Sequence, residues 1–282
     1  MAVKIACDSS ADLGKEFYEK HNIPVMPYTI VLGEENYLDN VTITVPEIYK
    51  YVEETKNLPK TAATNEFMFD EFFEKNKCDD GLIYFNLSSQ MTSTYNNASA
   101  SCKKFDKVYV VDSANLSTGV GMLVKYAVEL SENGCKYEEI VEKVEARKQH
   151  VQASFIIDKL NYLHKGGRCS TLQFLGANLL KLHPSIVVSN GKMQVHKKYN
   201  GKMADIVKKY IDDTLAEFKT PNLDYCFITC TELTDEDIIK NAVECAKAYG
   251  FKEVIQTYAG ATVSCHCGRN TIGILYYNDG NK

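Results

Sequence analysis

Residues 87–95, Leu-Ser-Ser-Gln-Met-Thr-Ser-Thr-Tyr, carry five small hydroxyl side chains within seven positions: Ser88, Ser89, Thr92, Ser93 and Thr94. An apolar run, Gly81 to Leu87, leads into them, and a helix-compatible run, Thr94 to Lys104, follows. A strand, a hydroxyl-rich turn and a helix start together suit a small anion. The free N–H groups and the positive end of the helix dipole face the turn, and hydroxyls add donors that rotate to meet a ligand. Ser and Thr at these positions also read as ordinary helix caps, and both readings stay open. Asp8-Ser9-Ser10 and Asp112-Ser113 end two further apolar runs. Ligands of open α/β sheets sit outside the carboxyl ends of the strands, so the three turns predict a rim of donors.

His266 lies in a Gly- and Ser-rich stretch, Ala259 to Gly268. It suits an anion donor or a general base, or a buried imidazole satisfied by backbone. Lys165-Gly166-Gly167-Arg168 reads as a glycine turn followed by a cation. Arg168 there either neutralises an anion or ties two loops through its donor fork. Ser88 or Ser89, Asp112 and His266 follow the chain order of an α/β-hydrolase triad, without the glycines of a nucleophile elbow. A sugar-phosphate binder is a third reading, since such turns also hold phosphate. Gly119 and Gly121 give only a partial dinucleotide fingerprint and read as close-packing positions. The ten cysteines are scattered with no C-x-x-C, so no zinc site is expected. No cofactor is implied.

These turns need a scaffold, and the rest of the chain describes one. It has 282 residues, 45% hydrophobic and 24% charged, with a net charge of −5, in the range of a globular protein. No basic stripe marks a nucleic-acid partner, and no apolar run approaches membrane-spanning length. The opening residues lack signal-peptide organisation, and the cysteine usage fits a reducing cytoplasm. Strands are expected at Val3–Cys7, Val25–Leu32, Gly81–Leu87 and Lys107–Val111. Helices are expected near Leu13–Lys20, after Thr44-Val-Pro-Glu47, and at Asn65–Lys75, Leu116–Leu130 and Tyr137–Gln149. That alternation predicts a doubly wound parallel sheet. The pattern changes near residue 150. A helix is expected at Leu172–Leu182, a hairpin around Asn190-Gly191, and two helix–strand units between Met203 and Tyr258, with Thr234 as a helix cap. The expectation is an α/β protein of two domains. Residues 1–150 form a parallel α/β/α layer with the head-group turns. Residues 151–282 form a smaller α/β domain with a mixed sheet that closes a cleft.

Taken together, these motifs resemble the DegV family, which includes the FakB-type fatty-acid-binding subunits of bacteria. Asp8-Ser-Ser-Ala-Asp-Leu13 is similar to its opening motif, and Lys60-Thr61 to the start of its Thr-Ser-Gln-Pro element. Leu87 to Tyr95 resembles Ser-Ser-x-x-Ser-Gly-Thr-Tyr, Val111-Asp-Ser113 with Gly119 and Gly121 is similar to the next motif, and Leu160 to Ser170 resembles Leu-Asp-Tyr-Leu-x-Lys-Gly-Gly-Arg-Ile-Ser. His266 with Gly268 is similar to the Thr-His-x-Gly-Pro-Gly turn.

The resemblance implies a two-domain fold that binds a long-chain, palmitate-like fatty acid between its domains. It implies a carrier rather than an enzyme, one that presents the acid to a separate fatty acid kinase subunit. Thr61 and Thr92 would hold the carboxylate, with Ser89, Ser93, His266 and Arg168 near or bracing it. Leu160, Leu163, Phe174, Leu175 and Leu179 are candidates for the tail wall or for ordinary core. The chain departs from the family pattern at Ala62-Ala63-Thr64, at Cys267 and Arg269-Asn270, and after the hairpin, where Lys197 to Lys202 replaces an arginine-rich segment. Ser93 replaces a motif glycine and adds a Cβ.

Overall fold

A computed structural model describes residues 2–175 and 182–280. The first half runs β1 (Lys4–Asp8), α1 (Lys15–Lys20), β2 (Val25–Met26), β3 (Thr29–Leu32), β4 (Glu35–Leu38), α2 (Val45–Thr55), β5 (Lys60–Ala62), α3 (Glu66–Asn76), β6 (Leu82–Asn86), α4 (Thr94–Cys102), β7 (Val108–Asp112), α5 (Thr118–Glu132) and α6 (Tyr137–Arg147). The second half runs β8 (Val151–Ile156), α7 (Leu160–Gly166), β9 (His183–Ser189), β10 (Lys192–Tyr199), α8 (Met203–Glu217), β11 (Pro221–Thr231), α9 (Glu236–Tyr249), β12 (Glu253–Ala259), α10 (Ala261–Cys267) and β13 (Ile272–Asn278).

The first sheet is parallel throughout, in the order β2-β1-β6-β7. Its strands are nearly continuous apolar runs because helices cover both faces. Ile5, Cys7, Ile83, Phe85 and Val111 face the helices α5 and α6. The alternate residues Ala6, Leu82, Tyr84, Val108 and Val110 face Phe69 and Phe73 of α3 and Ala98 of α4. The second sheet is mixed, in the order β10-β9-β8-β13-β11-β12. Period two again sorts its residues. Ile228, Ile274 and Tyr276 pack on α8 and α9, whereas Ala153, Phe155, Phe227, Leu275 and Tyr277 join the first half's core. The two halves thus share one apolar interior.

Several expectations needed correction. The run Val25–Leu32 is two strands: β2 joins the parallel sheet, and β3 leaves it for a three-stranded antiparallel sheet, β4-β3-β5. Pro27 sits between them and supplies no N–H for a continuous ladder. Thr234 does not cap α9. Its hydroxyl donates back to the carbonyl of Thr231, 2.6 Å away, and Asp235 takes the cap position. Within Leu172–Leu182, expected as a helix, residues 172–175 belong to a 3-10 segment, Ser170–Leu175, and β9 begins at His183. Residues 176–181, with Leu179, lie outside the described part, as do the side chains of Phe174 and Leu175. Leu160 and Leu163 pack in the shared core. The capping box at Thr44 is present: the Thr44 N–H donates to the Glu47 carboxylate at 2.7 Å. The hairpin around Asn190-Gly191 joins β9 to β10.

Candidate functional site

The turn after β6 is pinned from both neighbouring strands. The Leu87 N–H donates to the carboxylate of Asp8, at the end of β1, at 2.7 Å. The Ser89 N–H and hydroxyl donate to Asp112, at the end of β7, at 3.1 and 2.5 Å. Ser88 faces the other half, and its hydroxyl donates to the Gly191 carbonyl of the hairpin at 2.7 Å. A Cβ at Gly191 would lie 2.6 Å from the Ser88 hydroxyl, and its φ is +75°. Only glycine permits that contact. Burial pushes the Asp8 carboxyl up to about 6, against the hydrogen bonds from Ser10, Leu87 and Tyr28.

The expected rim of donors is therefore narrower than three turns. Ser9 donates to Asp39, Ser10 to Asp8, and Ser113 to the Asn115 carbonyl. All three serines are buried. Their hydroxyls are engaged within the protein, and none of the three is among the described residues that line the cavity.

The central turn lines a cavity of about 400 Å³. All six predicted residues, Thr61, Ser89, Thr92, Ser93, Arg168 and His266, line it. Leu87, Met91, Leu116, Met193, Val263 and Cys267 supply much of its apolar wall. Thr61, Arg168 and His266 also border an outer cavity of about 770 Å³, which carries Lys56, Lys60 and Lys165. Leu116, Val263 and Cys267 border a small void of about 30 Å³ among Ala153, Phe155 and Leu275. The hydroxyls on that void are engaged elsewhere: Ser117 with Asp12, Ser154 with Tyr210, Thr229 with Thr118, Thr231 with Thr234, and Thr271 with the Cys267 carbonyl.

His266 and Thr61 meet at this boundary. Nε2 of His266, on α10, lies 2.9 Å from Oγ1 of Thr61, on β5. Burial, then the nearby Arg168 guanidinium, lowers the His266 pKa to about 4. The ring is neutral at pH 7, and its buried Nδ1 has no partner. A Cβ at Gly166 would lie 2.5 Å from that Nδ1. The glycine pair read as a turn thus has two tasks. Gly166 lets α7 approach the imidazole, and Gly167, at φ +71°, ends the helix. Arg168 is exposed and donates to the Gly166 carbonyl at 2.5 Å.

Thr92 precedes Ser93, the cap position of α4, and stands both at the helix start and on the cavity wall. Its Oγ1 accepts the Thr94 N–H at 3.2 Å, fixing the start of α4, while the residue lines the cavity. Ser93 has φ −79° and ψ −6°. That right-handed conformation carries no penalty for a side chain, so the missing motif glycine leaves no strain. The hydrolase reading is not assembled: Ser88 bonds Gly191, Ser89 bonds Asp112 and His266 bonds Thr61.

Sequence reasoning missed Tyr28, Asn96, Leu116, Met193, Thr262 and Val263 on the cavity wall. For Thr262 and Val263 a signal existed. They precede His266 by four and three residues, the spacing of one helix face, but the glycines around α10 masked the helix.

A family model described as an uncharacterised protein of the DegV family matches residues 2–279. A DegV domain-containing protein of Clostridium perfringens is 30% identical over 284 residues, covering 98% of this chain and 99% of its own. The fold is similar to a Thermus thermophilus structure described as fatty acid binding of a DegV family protein. The TM-score is 0.88 at 25% identity, over 99% of this chain and 100% of that one. It is also similar to a Thermotoga maritima protein whose structure is described as revealing a fatty acid binding function, with TM-score 0.83 at 27% identity and 99% of each chain covered.

Proposed function

Because the chain belongs to the DegV family, we propose that it binds a long-chain fatty acid between residues 1–150 and 151–282, with the carboxylate on the hydroxyls of Thr61 and Thr92. The Thr61–His266 pair at the boundary of a largely apolar cavity carries this reading.

The chemistry starts from the imidazole. A neutral ring with one unpartnered nitrogen is better served by a bare lone pair there than by an orphaned N–H, which is the costlier defect. That puts the proton on Nε2, which donates to Thr61 Oγ1. The Thr61 hydroxyl proton is then free for a carboxylate oxygen. Thr92 offers a second: its Oγ1 lies 2.9 Å from Thr94 Oγ1, and with the Thr94 hydroxyl donating there, the Thr92 proton is left for the acid. Neutral donors satisfy a buried carboxylate without neutralising it, which an unpaired burial would not allow.

The tail supplies the affinity. Each buried methylene contributes about 0.8 kcal/mol, so about 14 of them give about 11 kcal/mol gross. Ordering and association remove a large part of that. The cavity size fits the range of small-molecule sites, and its apolar wall favours an alkyl chain over a sugar phosphate. The outer cavity, with three lysines and Arg168, supports presentation of the carboxylate to a phosphate-bearing partner such as a fatty acid kinase subunit. The protein then acts as a carrier and brings no catalytic centre of its own.

Denaturing mass spectrometry of the purified protein is expected to release one long-chain acid per chain. A protein that is empty and also ignores added palmitate overturns the reading.

A further inference from the structure

Beside the cavity, two wholly buried carboxylates of the first half reach across to a helix of the second half. Asp12 and Asp39 are 4% and 2% exposed. Asp12 accepts the Gly260 N–H at 2.8 Å through one oxygen and the Ser117 hydroxyl at 2.5 Å through the other. Asp39 accepts the Ala261 N–H at 2.8 Å, the Thr262 N–H at 3.2 Å and the Ser9 hydroxyl at 2.7 Å. Three consecutive N–H groups at the start of α10, which a helix cannot satisfy internally, are thus all received by carboxylates more than 200 residues away in the chain.

We infer that Asp39 and Asp12 are positioning residues for the head-group site: they fix where α10 begins and so hold His266 against Thr61. The three-stranded sheet makes the link. In it, Leu38 of β4 pairs with Thr29 of β3, and Thr61 of β5 pairs with the next residue, Ile30. Asp39 follows directly after β4. One sheet therefore grips α10 twice, at its first turn through Asp39 and at its last turn through Thr61. Thr262 and His266 stand four residues apart, on one face of the helix, so a shift of the first grip carries the imidazole with it. Gly260 leaves no slack: a Cβ there would lie 2.6 Å from the Asn40 amide nitrogen and 3.3 Å from an oxygen of each aspartate.

The test reads the imidazole directly in the full-length chain carrying 15N-labelled histidine, with the His266 resonances identified by their loss in His266→Gln. Asp39→Asn and Asp12→Asn, which keep shape but remove an acceptor, are expected to move the His266 Nε2 resonance towards that of a free imidazole. Fatty acid affinity should fall about tenfold. Gly260→Ala disturbs the same contact without touching a carboxylate and should move the resonance the same way. Phe73→Leu, in the distant core beneath α3, is expected to lower the melting temperature and leave the resonance in place, which separates positioning from loss of stability. An unchanged His266 spectrum in any folded variant of Asp39, Asp12 or Gly260 overturns the inference. The spectral arm needs no ligand. If the resonances move but wild-type protein binds no acid, the proposed function fails and the positioning role stands.

Discussion

Nε2 of His266 stands 2.9 Å from Oγ1 of Thr61, joining residues 205 positions apart. The bond closes the gap between the two halves at the place where the cavity meets the outer basic cavity. It also aligns Thr61, the one hydroxyl that both cavities share among the described residues. A single deletion therefore tests the head-group assignment. Thr61→Val keeps the shape and removes the donor. A hydrogen bond to a charged group is worth about 1.5–3 kcal/mol, so palmitate affinity should fall about ten- to hundredfold by titration calorimetry. Wild-type affinity would remove Thr61 from the site.

How much of this was legible beforehand depended on whether local sequence decided the matter. The turn at Ser88–Thr94 was legible because a strand, hydroxyls and a helix start adjoin in the chain. Thr61 carried no such mark: it lies in a three-residue strand, and only the family resemblance pointed to it. Helix α10 was hidden by flanking glycines whose cause is tertiary, namely the approach of Gly260 to Asp12 and Asp39. Strand β13 received no expectation at all, although it lies inside the mixed sheet, between β8 and β11. The split of Val25–Leu32 into two sheets turned on partners that no local pattern encodes.

Thr92 is expected to show a double effect. Thr92→Ala removes the acceptor for the Thr94 N–H and the partner of the Thr94 hydroxyl, on a residue that lines the cavity. Loss of such a hydrogen bond costs about 1 kcal/mol, so the variant should melt lower as well as bind acid more weakly. Thr92→Ser should restore both properties. Ser93→Gly should change neither, since Ser93 already sits at an ordinary φ of −79°. A Thr92→Ala protein that loses stability and keeps full affinity would leave Thr92 a support of the helix start only.

In the pH dependence, buried His266 opposes the carboxyls Asp8, Asp12 and Asp39, all of which burial raises. His266 falls from its ordinary 6.5 to about 4, so the unfolded chain takes up a proton first on acidification. Its contribution is present above pH 6.5 and is lost as the pH falls towards 4. Asp8 rises from 3.8 to about 6. Its contribution is full below pH 3.8 and is lost as the pH rises through 6. Between pH 4 and 6 the two slopes oppose each other. His266→Gln removes one of them. Relative to wild type, the variant should gain about 2–3 kcal/mol of stability between pH 7 and pH 4.5, since a tenfold change in proton affinity corresponds to about 1.4 kcal/mol. Urea midpoints at the two pH values check this, and parallel changes in both proteins would contradict a neutral, buried His266.

The last prediction concerns the tail. Among the described residues, the void beyond Leu116, Val263 and Cys267 offers no free hydroxyl to a water, because each one on its wall is bonded elsewhere. An apolar space without polar partners stays dry, so under the proposed function it would take the end of the alkyl chain. Ala153, on β8, is 1% exposed and lines this void. Ala153→Val adds methyl groups where the chain end would sit and should shift the preferred saturated acid towards shorter members. Leu116→Ala thins the wall between void and cavity and should shift the preference the other way. Each methylene that finds or loses room should change affinity about fourfold, from about 0.8 kcal/mol per buried CH₂. Competition between acids of about 12 to 20 carbons, the span over which such methylene increments add up, gives the profile directly. A common profile in wild type and both variants would send the tail elsewhere, while leaving the Thr61 head group untouched.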